Sequence, residues 1–141
     1  MYTQKVSTQE EAICHLFFHC CFKDDRFTRS ELDVIAGKLV SIGLHDKLNF
    51  RDEASRYRSY EDTITDEAAY VQFLLQVAKP VNELALYSYC LELCLADAEL
   101  SVQEEKLLDA IAAALNIATN ERAVISRLAV QRKVVETQKL F

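Results

Sequence analysis

The chain has 141 residues, 50% of them hydrophobic, with 16 basic against 22 acidic side chains and a formal net charge of −6. That length suits one domain around one core, and the acidic balance argues against general nucleic-acid binding, which needs positive charge concentrated on phosphates. Two glycines and one proline leave little room for strand hairpins or flexible linkers, so the composition favours helix throughout.

In chain order, Met1 to Glu11 lacks the basic-then-apolar order of a secretory signal. Ser7 with Glu10 and Thr8 with Glu11 form two overlapping capping boxes, which predict a helix running to about Phe22 with Ile13, Leu16, Phe17 and Cys20 facing the core. The uncharged run Ala12 to Phe22 is too short to span a bilayer. Lys23 to Arg26 makes a polar break. Thr28 then caps a second helix, with Glu31 placed to reach back and Leu32, Ile35, Leu39 and Ile42 as its inner stripe. Gly43 stands where a helix end wants a residue tolerant of left-handed geometry.

A more polar third helix is predicted from about Asp46 to Tyr60, closed by the turn-like Glu61-Asp62-Thr63. Thr65-Asp66-Glu67 starts a fourth, with Tyr70, Phe73, Leu74 and Val77 inside. Pro80 suits the first turn of a fifth, carrying Leu84, Tyr87, Leu91 and Cys94. Ser101 with Glu104 starts the sixth, striped by Leu107, Leu108, Ile111 and Leu115. The seventh begins at Thr119 and holds Val124, Leu128 and Val135.

Residues 85–117 repeat the pattern of 12–44 at an offset of 73 residues. Asp24, Phe27, Thr28, Glu31, Ile35, Ile42 and Leu44 fall on Asp97, Leu100, Ser101, Glu104, Leu108, Leu115 and Ile117, and 46–60 falls on 119–133. The expected fold is therefore a single all-α domain over 1–141, a bundle of about seven helices built from two pseudo-symmetric repeats, with the fourth helix as connector.

Three groups of residues carry candidate chemistry. Asp97, Glu99 and Glu104 with Ser101, and Asp24 and Glu31 in the first copy, set oxygen ligands about two inter-helix loops and suit a hard divalent cation such as calcium or magnesium. An EF-hand comparison fails at Val102 and Leu108, where that loop needs Gly and a bidentate Glu. The plainer reading makes Glu31 and Glu104 the far members of capping boxes. His15 and His19 share one helical face, as do Cys90 and Cys94, so a two-His, two-Cys zinc site requires those helices to meet in register. Five cysteines, with Cys20 and Cys21 adjacent and Cys14 apart, fit a reducing compartment and small buried apolar groups better than a disulfide framework. No phosphate loop, nucleophile elbow or zinc-hydrolase pattern occurs, which points away from an enzyme, with a thiol-dependent one built on His19 as the alternative.

Two basic stretches remain. Arg56-Tyr57-Arg58-Ser59-Tyr60 is flanked by Asp52, Glu53, Glu61 and Asp62 and reads as a solvated helix face. The last helix carries Arg122, Arg127, Arg132, Lys133 and Lys139, which suits packing on the bundle or, in a second reading, docking to a partner or an anionic membrane surface.

The repeated unit, best seen in Leu95-Ala96-Asp97-Ala98-Glu99-Leu100-Ser101-Val102-Gln103-Glu104-Glu105, resembles the TerB-like family, named for the tellurite-resistance protein TerB. The resemblance spans roughly 12–117. It implies a compact all-helical bacterial cytoplasmic protein, non-enzymatic and linked to tellurite or other chemical stress. It further implies a module working beside membrane or chaperone partners, with Asp97 and Glu104, and Asp24 and Glu31, holding a divalent cation; a protein partner, a peripheral membrane contact and a homodimer are the expected associations. Where that family often has Gly after the Asp, this chain has Ala98 and Asp25.

Overall fold

Thr8 starts the first helix as its spacing from Glu11 demands. Its hydroxyl accepts from Glu11 N at 3.1 Å, while the Glu11 carboxylate accepts from Thr8 N at 3.0 Å, which satisfies two of the donors that a helix start leaves over. Ser7 donates its N–H and hydroxyl to the same Glu11 oxygen rather than forming a second box with Glu10. The computed structural model describes residues 2–21, 29–95 and 100–137, with the side chains of 29–31 and 133–137 outside that description. Its helices are α1 (Gln9–Cys21), α2 (Arg29–Ser41), α3 (Phe50–Tyr60), α4 (Glu67–Ala78), α5 (Glu83–Cys94), α6 (Val102–Leu115) and α7 (Thr119–Thr137). Short 3₁₀ turns occupy Tyr2–Gln4, His45–Lys47 and Glu61–Thr63. No strand occurs among the described residues, so the all-α bundle expected from composition is what the chain forms.

α1 is the axis. It packs against α2, α3, α4 and α5, and every residue from Ala12 to Cys21 is buried. The stripe expected on one side is therefore part of a helix enclosed all round, as an uncharged run of that length permits. α4 packs on α1 and α6, and α5 on α1, α6 and α7; α3 has α1 as its main neighbour. Among the described residues no helix is long and apolar enough to cross a membrane.

Helix ends follow side-chain caps more closely than the sequence reading placed them. α3 begins at Phe50 rather than near Asp46, because Asn49 accepts from Asp52 N at 3.2 Å and the stretch before it turns as 3₁₀. α5 begins behind Asn82, which accepts from Ala85 N at 3.0 Å, so Pro80 lies in the connection and not in the first turn. Lys79, at φ 46, closes α4 in left-handed geometry. Gly43 has φ +75, as its place after α2 suggests.

Two helices sit in a different rotation from the one their apolar residues suggest. On α7, Val124 and Leu128 are 58% and 56% exposed while Ala129 is buried. In that rotation Arg122 donates to the Tyr87 hydroxyl at 2.8 Å and pairs with Asp109, and Arg132 pairs with Glu92 at 2.8 Å. On α5, Leu84 faces outward while Leu86, Tyr87, Cys90, Leu91 and Cys94 face in. α6 keeps the expected stripe, with Leu107, Leu108, Ile111 and Leu115 buried.

Candidate functional site: a buried histidine, tyrosine and carboxylate network

Residues 15 and 19 stand one turn apart on α1, and positions 53, 57 and 60 make a matching stripe on α3 at spacings of four and three. Bringing those faces together forms two parallel carboxylate–imidazole–phenol sets. In the first, His15 Nε2 lies 2.8 Å from Glu53 Oε1 and His15 Nδ1 lies 2.6 Å from the Tyr60 hydroxyl, which is 2.6 Å from the Tyr70 hydroxyl on α4. In the second, His19 Nε2 lies 2.8 Å from Glu67 Oε2 at the start of α4, and His19 Nδ1 lies 2.7 Å from the Tyr57 hydroxyl.

The tautomers follow from the partners. With Glu53 ionised, Nε2–H of His15 donates to the carboxylate, Nδ1 accepts from the Tyr60 O–H, and the Tyr60 oxygen accepts from the Tyr70 O–H. The same logic makes His19 donate from Nε2 to Glu67 and accept at Nδ1 from Tyr57. Both imidazoles are neutral in this arrangement, with both ring nitrogens used. Arg56 connects the first set to the surface, pairing with Glu53 at 3.2 Å and with Glu11.

Burial controls the electrostatics. His15 is fully enclosed, and loss of hydration pulls its pKa down to about 4; the Glu11 charge opposes that and Arg56 adds to it. Burial likewise pushes Glu53 above the usual carboxylate range, against the pull of Arg56. At Glu11 the upward push of burial is outweighed by hydrogen bonds from Thr8 and Ser7, and the net direction is down. Burial raises the phenols of Tyr57, Tyr60 and Tyr70 and the Cys14 thiol. A thiol so placed is a poor nucleophile.

The rings are stacked as well as bonded. His15 lies nearly parallel to Tyr60, with centroids 5.7 Å apart and 12° between planes, while Tyr70 meets His19 edge-on at 5.0 Å. Phe18 is covered by Phe50 and Tyr57, at 5.3 and 5.8 Å. Such aromatic contacts add about 0.5–1.5 kcal/mol each beyond area burial.

The expected site residues fare unevenly. Asp24, Asp97 and Glu99 lie outside the described residues, and Glu31 lies where side chains are not described. Glu104 is described. Its carboxylate accepts from Ser101 N at 2.9 Å and its N–H donates to Ser101 Oγ at 3.1 Å, a complete capping box.

The zinc set does not assemble. α1 and α5 do meet, but through Phe17, which packs on Tyr89, and through Cys20, whose carbonyl accepts from the Cys94 thiol at 3.7 Å. The histidines turn instead toward α3 and α4, since successive residues on a helix diverge by about 100°. Among the described residues no three His, Cys, Asp or Glu side chains form a group able to hold a metal ion. The ring nitrogens of His19 meet the Tyr57 hydroxyl and the Glu67 carboxylate. The stretch 56–60, read as a solvated face, has Tyr57 and Tyr60 fully inside.

Sequence reasoning missed Glu53, Tyr57, Tyr60, Glu67 and Tyr70 as partners of the histidines. The available signal was the pairing of two helical stripes, His15/His19 in an apolar helix and Glu53/Tyr57/Tyr60 in a polar one. The described residues form an all-helical bundle in which His15 and His19 of α1 face carboxylates and phenols of α3 and α4. Compared with family models, curated proteins and solved structures, the chain matches none.

Proposed function

We propose that this chain is a non-enzymatic helical interaction module, cytoplasmic and stress-associated in the manner that the TerB-like resemblance implies. The observation that carries this reading is the contrast between inside and outside. His15 and His19 are bonded to carboxylates and phenols in the interior, while an open apolar groove of about 250 Å³ lies at the surface between α1, α5 and the end of α2. Its walls include Ile13, Phe17, Ile42, Leu44, Leu86 and Tyr89, and Val81 stands 98% exposed at its lip. Exposed apolar surface grouped around a cleft marks contact with another molecule more often than it marks chance.

The occupant that fits is a basic amphipathic helix of a protein partner, with one or two large apolar side chains in the groove and its charge drawn to a chain of net charge −6. The α7 arginines favour this over docking through α7, since Arg122 and Arg132 are engaged with Asp109 and Glu92. The divalent-cation part of the reading rests on Asp24, Glu31, Asp97, Glu99 and Glu104; the capping box at Glu104 favours the architectural role. A dye-labelled Leu/Lys amphipathic helix is the direct probe. Its affinity should fall about tenfold in Val81→Lys and in Ile42→Lys, a loss of about 1.4 kcal/mol. Unchanged affinity in both would remove the groove from the function.

A further inference from the structure

α3 is the polar helix of the bundle, with Arg51, Asp52, Glu53, Arg56 and Arg58 among its eleven residues, and only Glu53, Tyr57 and Tyr60 buried. Each of those three bonds to a histidine of α1, directly across the helix interface. α3 is also tied to its surroundings by Tyr60, whose hydroxyl lies 2.6 Å from that of Tyr70 on α4, by Lys5, which donates to Ser59 at 2.7 Å, by Arg56, which pairs with Glu11, and by Phe50, which covers Phe18. The helix is bracketed by 3₁₀ turns at His45–Lys47 and Glu61–Thr63. Elsewhere the bundle closes through apolar faces, α4 and α5 on α1 and on α6.

We propose that α3 is a proton-operated latch: proton uptake by His15 and His19 undocks Phe50–Tyr60 from α1 while the rest of the bundle stays folded, uncovering an aromatic floor around Phe18 and Tyr70. A proton added to His15 Nδ1 sits on the atom that now accepts from Tyr60, so the hydrogen bond must reverse inside an enclosed interface. The groups facing this pair come from every neighbouring element. α1 contributes Glu11 and Cys14, α3 contributes Glu53, Arg56, Tyr57 and Tyr60, and α4 contributes Glu67 and Tyr70. The 3₁₀ turn after α3 brings Glu61 toward Tyr57, and the N-terminal turn brings Tyr2 to Tyr70 at 4.9 Å. On the far side of α1, α5 offers Cys90 and Cys94 to Cys20, and the α2 residue Lys38 is held by Glu92 at 2.7 Å. Glu53 and Glu67 would favour the cation, but Glu53 is shared with Arg56, which repels it. The lowered protonation tendency of His15 agrees with this balance.

The test is amide hydrogen exchange of the full chain between about pH 7.5 and about pH 5, corrected for intrinsic rates. Protection over 50–60 should fall at least about tenfold while protection over α5 and α6 holds. In His15→Gln/His19→Gln, which cannot take up the protons, the α3 loss should vanish. Parallel loss in α3 and α6, or a loss that persists in the double variant, would overturn the latch. Should the variant not fold, nitrogen NMR of the wild-type imidazoles decides the matter. The expected result is neutral Nε2–H tautomers at neutral pH, titrating together with α3 opening. Titration of both rings with α3 still protected would overturn it.

Discussion

The two sides of α1 are held by opposite means. Toward α5, Ile13, Phe17 and Cys20 meet Leu86, Tyr89, Cys90 and Cys94 in an interface whose stabilisation comes from excluded water and close packing. Toward α3, His15 and His19 meet Glu53, Tyr57 and Tyr60, and almost every contact has a direction. The apolar side tolerates rearrangement among side chains of similar volume. The polar side has one arrangement in which its protons find acceptors, so it fixes the register of α3 on α1 and tolerates little.

Substitutions should separate the two. Phe17→Ala, on the apolar side and fully buried, removes a ring from packed surroundings and should cost about 3–5 kcal/mol by denaturant unfolding. Tyr60→Phe keeps the ring and deletes only the hydroxyl between His15 Nδ1 and Tyr70. It should cost about 1–3 kcal/mol, since it leaves buried polar groups without their partner. A Tyr60→Phe cost of a few tenths would mean that the rings, not the hydrogen bonds, seat α3.

That contrast explains which parts of the fold were legible in the sequence. The apolar helices could be read because burial leaves a periodic trace: α6 shows Leu107, Leu108, Ile111 and Leu115 in the places their spacing dictates. Capping left an equally local trace at Thr8/Glu11 and Ser101/Glu104. The network left no such trace, because its partners are 38 to 48 residues apart along the chain for each histidine. Each half looks ordinary alone, Tyr57 and Tyr60 as surface residues among arginines and His15 as a core histidine. α7 misled for a related reason. Val124 and Leu128 have helical spacing, yet they face out, while Ala129 faces in and Arg122 and Arg132 reach across to the distant Asp109 and Glu92.

Acid should sharpen the comparison further. His15 has its folded pKa lowered from 6.5 to about 4, so the unfolded chain binds the proton more readily. The stability tied to His15 is present in full above about pH 6.5 and is lost as pH falls toward 4. Glu53 works the other way, because its raised folded value favours the folded state on the acid side. The net loss between about pH 7 and about pH 5 should be roughly 1–2 kcal/mol by urea unfolding. His15→Gln should flatten that slope, and Phe17→Ala should shift the whole curve down without changing its shape. A slope unchanged in His15→Gln would place the acid sensitivity elsewhere in the chain.

The capping box at the start of α6 is the mildest case, a polar pair that ends a helix without joining two. Ser101→Ala removes the acceptor for Glu104 N and should cost about 1 kcal/mol, or about 3 °C in melting temperature for a chain of this size. Glu104→Gln keeps an oxygen able to accept from Ser101 N, so it should cost no more than about 0.5 kcal/mol. The pair also separates helix capping from cation binding. A ligand that binds only the folded state must raise its melting temperature, and a carboxylate-to-amide change weakens a hard-cation site far more than a cap. If millimolar calcium or magnesium stabilises the parent and that gain disappears in Glu104→Gln while the metal-free stability holds, the acidic loop is a ligand-binding element. If Glu104→Gln melts with the parent under both conditions, its carboxylate is there to start α6, and the polar groups that discriminate in this protein are those between α1 and α3.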